Sequence, residues 1–137
     1  MTTFESSIRQ IPHSQQSVYA MLSDLANLER VRSRLPEDKI KDFAFDSDSL
    51  SISVAPVGSI KLRIVDREAP KCIKFETEQS PIPFNFWIQV LPVTETSSKM
   101  KLTIKADLNP FIKGMVKKPL QEGIEKIADA LQMINYD

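Results

Sequence analysis

The sequence feature that most constrains the fold is a long central stretch, Ile40 to Ala106, in which apolar and polar residues alternate. Alternation with a period of two places successive side chains on opposite faces of an extended chain, so it predicts β-strands. Turn-forming residues, such as the proline and glycine of Ala55-Pro56-Val57-Gly58, interrupt the alternation at intervals of about a dozen residues. The stretch therefore predicts an antiparallel meander with strands at Ile40–Phe45, Leu50–Val54, Ser59–Asp66, Cys72–Glu78, Phe84–Leu91 and Lys99–Ala106.

The segment before the meander predicts a strand followed by helix. A weak alternation over Thr3–Gln10, ended by Pro12, indicates a first strand. Apolar residues then recur at steps of three and four from Val18 to Leu35, and Ser14 is a suitable N-cap. Because Ser23-Asp24 can cap a new helix within this run, we expect two short helices before Pro36.

The segment after the meander predicts one long helix. Asn109-Pro110 combines an N-cap residue with a proline in the first turn, and apolar residues follow at nearly helical spacing as far as Ile134. Pro119 lies inside this run and lacks the N–H that a regular helix uses. We therefore expect a kink or a restart of the helix at Pro119.

Strand parity gives the meander one apolar face and one charged face. Only the apolar stripe of the C-terminal helix can cover the apolar face. The pattern alone does not separate a packed core from a ligand cavity, and an apolar face of this kind is more often a core. The apolar positions are Leu50, Ile52, Val54, Ile60, Leu62, Ile64, Ile73, Phe75, Phe84, Phe86, Ile88, Met100, Leu102 and Ile104.

Length and composition exclude several classes of protein. With 137 residues and 42% hydrophobic residues, the chain is expected to form a single domain over 1–137. Eighteen basic and eighteen acidic residues balance, which argues against nucleic acid as a partner. A lone cysteine, Cys72, excludes an internal disulfide and a zinc module, and we expect no metal and no cofactor. The absence of a long apolar run predicts a cytoplasmic protein without membrane insertion.

The order of these pieces resembles the START-related, helix-grip superfamily (SRPBCC type), which includes polyketide cyclases and pollen-allergen-like proteins. The residues that carry the resemblance are Ile11-Pro12-His13-Ser14 with Val18, Leu22 and Ser23-Asp24, and the amphipathic stretch from Pro110 to Ile134. The resemblance implies an α+β fold in which a curved antiparallel sheet of about seven strands wraps around a long C-terminal helix, with two short helices after the first strand. It also implies an apolar cavity between sheet and helix that holds a small hydrophobic molecule.

We therefore expect the chain to bind or transport a small hydrophobic or amphipathic ligand without catalysing a reaction. Basic residues near the start of the last helix and after the second one could contact an anionic group of the ligand, and these are Arg34, Lys117 and Lys118. The residues expected to line the cavity are Leu62, Ile64, Phe75, Phe84, Phe86, Ile88, Leu102, Ile104, Phe111, Met115, Ile124 and Ile127.

Two alternative functions remain open at this stage. A polyketide cyclase or aromatase would need Asp66, Thr77 or Tyr19 to project into the cavity, because these are the polar candidates near the apolar face. An interaction module would have a filled core and would use an outward Trp87, next to Leu91, or the last helix for a partner or a homodimer contact. His13 and Cys72 receive no catalytic role, because His13 fits a helix start and Cys72 fits a structural thiol.

Overall fold

The computed structural model describes residues 2–27, 40–54, 58–79, 82–133 and 136. Along the chain these residues form eight strands and two α-helices. The strands are β1 Thr2–Glu5, β2 Arg9–Ile11, β3 Ile40–Phe45, β4 Ser49–Val54, β5 Gly58–Glu68, β6 Cys72–Gln79, β7 Phe84–Thr94 and β8 Ser97–Ala106, and the helices are α1 Gln15–Leu22 and α2 Pro110–Gln132.

All strands belong to one antiparallel sheet, which confirms the predicted meander. The order across the sheet is β1-β8-β7-β6-β5-β4-β3, and β2 also pairs with β8. Each strand from β3 to β8 therefore lies next to its neighbour in sequence, while the N-terminal strands close the edge of β8. Helix α2 packs against β1, β2 and β8, and α1 packs against β7 and β8. The architecture is that of a sheet with a long C-terminal helix on one face, as expected.

The predicted first strand is divided into β1 and β2. Ser6 causes the break, because its backbone N–H donates to the Leu102 carbonyl and its Oγ accepts from the Leu102 N–H, both at 2.9 Å. The next residue turns away from the sheet, and the Ser7 N–H donates to Glu125 Oε1 of α2 at 2.5 Å. The predicted β-strand at Thr3–Gln10 therefore becomes two short strands with a link to α2 between them.

Helix α1 begins as predicted, with Ser14 Oγ accepting from the Ser17 N–H at 3.1 Å. After α1, Asp24 Oδ1 accepts from the Ala26 N–H at 3.0 Å, and residues 25–27 form a 3₁₀ turn. This is the cap expected for a second helix. The remainder of that predicted helix, together with Arg34, lies outside the described residues.

Helix α2 begins where the sequence predicts it. Asn109 Oδ1 accepts from the Ile112 N–H at 2.9 Å, and Pro110 occupies the first turn. The helix continues from Pro110 to Gln132 through Pro119, so it does not restart there. Within the described residues, no helix is both long and apolar enough to cross a membrane.

Candidate functional site

The interior of the fold is an apolar volume between the concave face of the sheet and α2. Inward-facing side chains of the strands are almost completely buried, and Val116, Leu120 and Ile124 of α2 close this volume from the helix side. The strand residues in this cluster are Phe4, Ile11, Ile60, Leu62, Ile64, Ile73, Phe75, Phe86, Ile88, Val90, Met100, Leu102 and Ile104. The Phe75 and Phe86 rings pack together with their centroids 5.4 Å apart.

One end of this interior is incompletely covered. Ile82, Phe84, Leu108 and Ile112 pack against the core but remain only half-buried. They come from the β6–β7 connection, the start of β7, the β8–α2 connection and the first turn of α2, and Phe84 pairs with Ala106 at the end of β8. We call these four residues the rim. They form an apolar edge of the interior.

A groove of about 240 Å³ lies beside the rim. Thr77 is at its inner side, where Thr77 Oγ1 accepts from the Phe84 N–H at 3.3 Å. The groove combines apolar and charged side chains. Its lining residues are Glu76, Thr77, Pro83, Phe84, Asn85, Lys105 and Asp107.

The structure gathers most of the predicted cavity residues in the interior. Phe84 and Ile127 are half-buried at its edge, and Lys117 and Lys118 are exposed on α2. Arg34 lies outside the described residues. The residues found buried are Leu62, Ile64, Phe75, Phe86, Ile88, Leu102, Ile104 and Ile124.

Phe111 and Met115 are a correction to the sequence-based assignment. Both were expected in the cavity, but they are 78% and 57% exposed. Leu120 sets the buried face of α2, and Phe111 lies nine residues from it, about two and a half turns away, so it points to the opposite side. The sequence indicates this difference by the five-residue step from Met115 to Leu120. Apolar residues on one face of a helix recur at steps of three and four, so a step of five places Met115 and Leu120 on different faces.

Asp66 is also displaced from the predicted face. The register between β5 and β6 shifts between Ile64 and Asp66, which leaves Asp66 paired with Lys74 on the charged face. A β-bulge of this kind reverses the parity of the residues that follow it. Of the three polar candidates for a cyclase, Asp66 is therefore exposed and Thr77 lies at the groove.

Tyr19 is the third polar candidate, and it is buried. Its phenol oxygen has no hydrogen-bond partner among the described residues. Burial raises the pKa of the Tyr19 phenol, an effect opposed by the nearby positive charge of Arg67. The hydroxyl is thus kept neutral at ordinary pH.

Trp87 faces outward, as the parity of β7 predicts. It pairs with Lys74 and Thr103, and the Nζ atoms of Lys74 and Lys105 each lie 5.7 Å from the centre of the indole ring. Cation–π contacts on both neighbouring strands cover part of the ring. Leu91, farther along the same face, is exposed.

A polar cluster that joins β2 to α2 was not foreseen from the sequence. Arg9 Nη2 lies 2.5 Å from Glu125 Oε2, and Arg9 also donates to Asp129 and to Gln132 Oε1. Although burial alone would raise the pKa of Glu125, hydrogen bonds from Arg9 and Ser7 outweigh it and hold that pKa below its usual value. This cluster fixes the C-terminal half of α2 on the sheet.

The described residues offer little for metal or thiol chemistry. Among them, no three His, Cys, Asp or Glu side chains are grouped so as to hold a metal ion. Burial raises the pKa of the Cys72 thiol, and the negative charges of Glu68 and Asp66 act in the same direction, so the reactive thiolate is disfavoured.

Comparison with known proteins gives matches at the level of structure. No family model matches the sequence, and no curated protein matches it. A START superfamily protein from Mycobacterium smegmatis is similar with a TM-score of 0.69 and 15% identity, over 95% of this chain and 94% of that one. Truncated norcoclaurine synthase from Thalictrum flavum has a TM-score of 0.72 and 16% identity, over 96% and 91%.

A protein from Thermus thermophilus is similar to the same degree, with a TM-score of 0.69 and 18% identity over 96% of this chain and 94% of that one. Norcoclaurine synthase has also been solved in complex with dopamine and hydroxybenzaldehyde. These matches span almost the whole chain and agree with the sheet order and the long C-terminal helix described above. The chain has a helix-grip fold, which it shares with these solved structures.

Proposed function

We propose that this protein binds a small hydrophobic or amphipathic molecule between the concave face of its sheet and α2, without catalysing a reaction on it. The observation that carries the proposal is the apolar interior that ends at a half-buried apolar rim. An apolar pocket with a few polar groups at its mouth is the usual form of a small-molecule site. Solved proteins of the same fold include an enzyme crystallised with small aromatic molecules, which supports a ligand-sized site in this fold.

The polar end of such a ligand would lie at the groove beside the rim. Thr77 lines the groove on the interior side and supplies a hydroxyl, whereas Asn85 and Lys105 line it from the outer face of the sheet. Lys117 and Lys118 are exposed on the helix whose first turn carries Ile112 of the rim. Lys117 and Lys118 would attract an anionic group of the ligand as it approaches. The interior strand positions, which are filled by Ile, Leu, Val, Met and Phe, support binding without chemistry.

Native mass spectrometry of the purified protein, followed by denaturing extraction, tests the proposal. We expect a small molecule of defined mass to leave with the protein and to be recovered unchanged. Recovery of a transformed molecule after incubation would favour the cyclase alternative. A protein that carries nothing and binds no 1-anilinonaphthalene-8-sulfonate would favour a filled core and an interaction role.

Two substitutions in α2 test whether the ligand reaches its site through the rim. Ile112→Trp adds bulk at the rim, whereas Met115→Trp adds the same bulk on the exposed side of the same helix. We expect the first variant to weaken binding of 1-anilinonaphthalene-8-sulfonate by at least about 5-fold and the second to leave it unchanged. Equal effects of the two variants would contradict a site reached through the rim.

A further inference from the structure

Thr77 lies on the inner face of the sheet at the point where β6 and β7 part. Backbone pairing between these strands ends at Glu76 and Asn85. The next residues are Thr77 and Phe84, and there the Phe84 N–H donates to Thr77 Oγ1 at 3.3 Å. A side chain thus replaces the backbone as the link between the strands, beside the groove that Thr77 lines.

The side chains around Thr77 on this face are apolar. Thr77 pairs with Leu62 of β5, and Phe75 precedes it by two residues on β6, so Phe75 faces the same side. Thr77 is half-buried, and its bond with Phe84 uses the hydroxyl oxygen only as an acceptor. A threonine hydroxyl also carries one hydrogen to donate. No described residue accepts that hydrogen, so it is available to a molecule in the groove.

A hydrogen-bond donor in apolar surroundings favours one kind of ligand. Small-molecule sites are mostly apolar, and the few polar groups in them fix the orientation of the ligand. If the apolar body of a ligand fills the interior, its outer end lies next to the Thr77 hydroxyl. An acceptor oxygen at that end would pair with the hydroxyl, whereas a hydrocarbon end would exclude water from the hydroxyl and leave it unpaired.

We propose that Thr77 is a specificity-determining residue and that its hydroxyl donates to an acceptor oxygen of the ligand. The ligand class is an apolar molecule that ends in a carbonyl oxygen, as in a ketone or an amide. This role rests on the proposed function, because it requires a ligand in the interior. It goes beyond that function by naming the chemical group that the site selects.

Two probes of nearly the same shape test the role of Thr77. The probe 2-acetylnaphthalene ends in a ketone, whereas in 2-isopropylnaphthalene a methyl-bearing carbon replaces the carbonyl. Equilibrium dialysis gives the affinity of each probe, and the ratio of the two affinities is compared between proteins, so that differences in probe hydration cancel. We expect Thr77→Val to lower the ratio of ketone affinity to hydrocarbon affinity by at least about 5-fold. Thr77→Ser keeps the hydroxyl and is expected to keep the ratio within about 2-fold.

The ratio also separates a ligand contact from a structural role of Thr77. Thr77→Val loses the bond from Phe84 as well, but a displaced Phe84 would weaken both probes alike. Thr103→Val is the matched control, because Thr103 lies opposite Trp87 on the outer face, and we expect this variant to bind both probes as the unchanged protein does. If both probes bind and Thr77→Val leaves the ratio unchanged, the role of Thr77 is wrong and the proposed function stands. If neither probe binds the unchanged protein, the proposed function fails and the role of Thr77 fails with it.

Discussion

Two buried tyrosines differ in whether their hydroxyl groups have hydrogen-bond partners. Tyr136 Oη donates to the Leu131 carbonyl at 2.6 Å, whereas Tyr19 Oη has no partner among the described residues. Removing an unpaired buried hydroxyl relieves a desolvation cost, but removing a paired one loses a hydrogen bond. We expect Tyr19→Phe to raise the free energy of unfolding by about 1 kcal/mol and Tyr136→Phe to lower it by about 1 to 2 kcal/mol. Urea unfolding measures both, and a loss of stability in Tyr19→Phe would show that this hydroxyl has a partner.

The Arg9 cluster predicts a dependence of stability on pH. Because the pKa of Glu125 in the folded protein lies below the ordinary value of 4.5, its ionised form stabilises the fold above that pH. This contribution is lost as the pH falls through the folded-state pKa. We expect the free energy of unfolding to drop below pH 4.5, and the drop to be smaller in Glu125→Gln.

Urea unfolding between pH 3 and pH 6 checks this dependence. Glu95→Gln serves as the matched control, because Glu95 lies in the exposed β7–β8 turn and has no ion pair with a described residue. Glu95→Gln should lose as much free energy of unfolding in acid as the unchanged protein does. If the free energy of unfolding of Glu125→Gln depends on pH as that of the unchanged protein does, Glu125 does not cause the loss of stability in acid.

At the scale of secondary-structure elements, two glycines have opposite roles. Gly58 begins β5 with a φ of 107°, a conformation that side chains with a Cβ rarely adopt. Gly114 lies within α2, and a Cβ added there meets no atom within 4 Å. We expect Gly114→Ala to stabilise the protein by about 0.5 to 1 kcal/mol and Gly58→Ala to destabilise it by about 1 kcal/mol or more. Thermal unfolding of the two variants checks the signs, and stabilisation by both would contradict the strain at Gly58.

The elements themselves could be predicted because their signals are local. Asn109-Pro110 marked the start of α2, and alternation placed β3 to β8 within a few residues of their observed ends. The direction in which a side chain points was harder to predict, because one inserted residue or one irregular step reverses it. The shift of register before Asp66 has no signature in composition, and the step of five before Leu120 moved Met115 off the buried face. The Arg9 cluster could not be foreseen, since it joins residues far apart in sequence.

At the scale of the whole molecule, the two halves of α2 are attached to the sheet in different ways. Its C-terminal half is bonded to the N-terminal strands and the link between them, through Gln121 to the Glu5 carbonyl, Glu125 to Arg9 and Gln132 to the Gln10 carbonyl. Among the described residues, Pro110–Leu120 form no such side-chain hydrogen bond to the sheet. Pro119 also leaves the helix without one backbone donor. The half that borders the rim is therefore the less firmly held half.

This asymmetry predicts local opening of the N-terminal half of α2. We expect the amides of Lys113 to Lys118 to exchange with solvent at least about 10-fold faster than those of Ile124 to Leu131, because segments with few tertiary bonds open at lower free energy. Pro119→Ala restores the missing donor and should slow exchange in the first segment alone. Hydrogen exchange measured by NMR checks both statements. Uniform protection along α2, unchanged in Pro119→Ala, would mean that the helix moves as one rigid element and that a ligand must reach the interior without its opening.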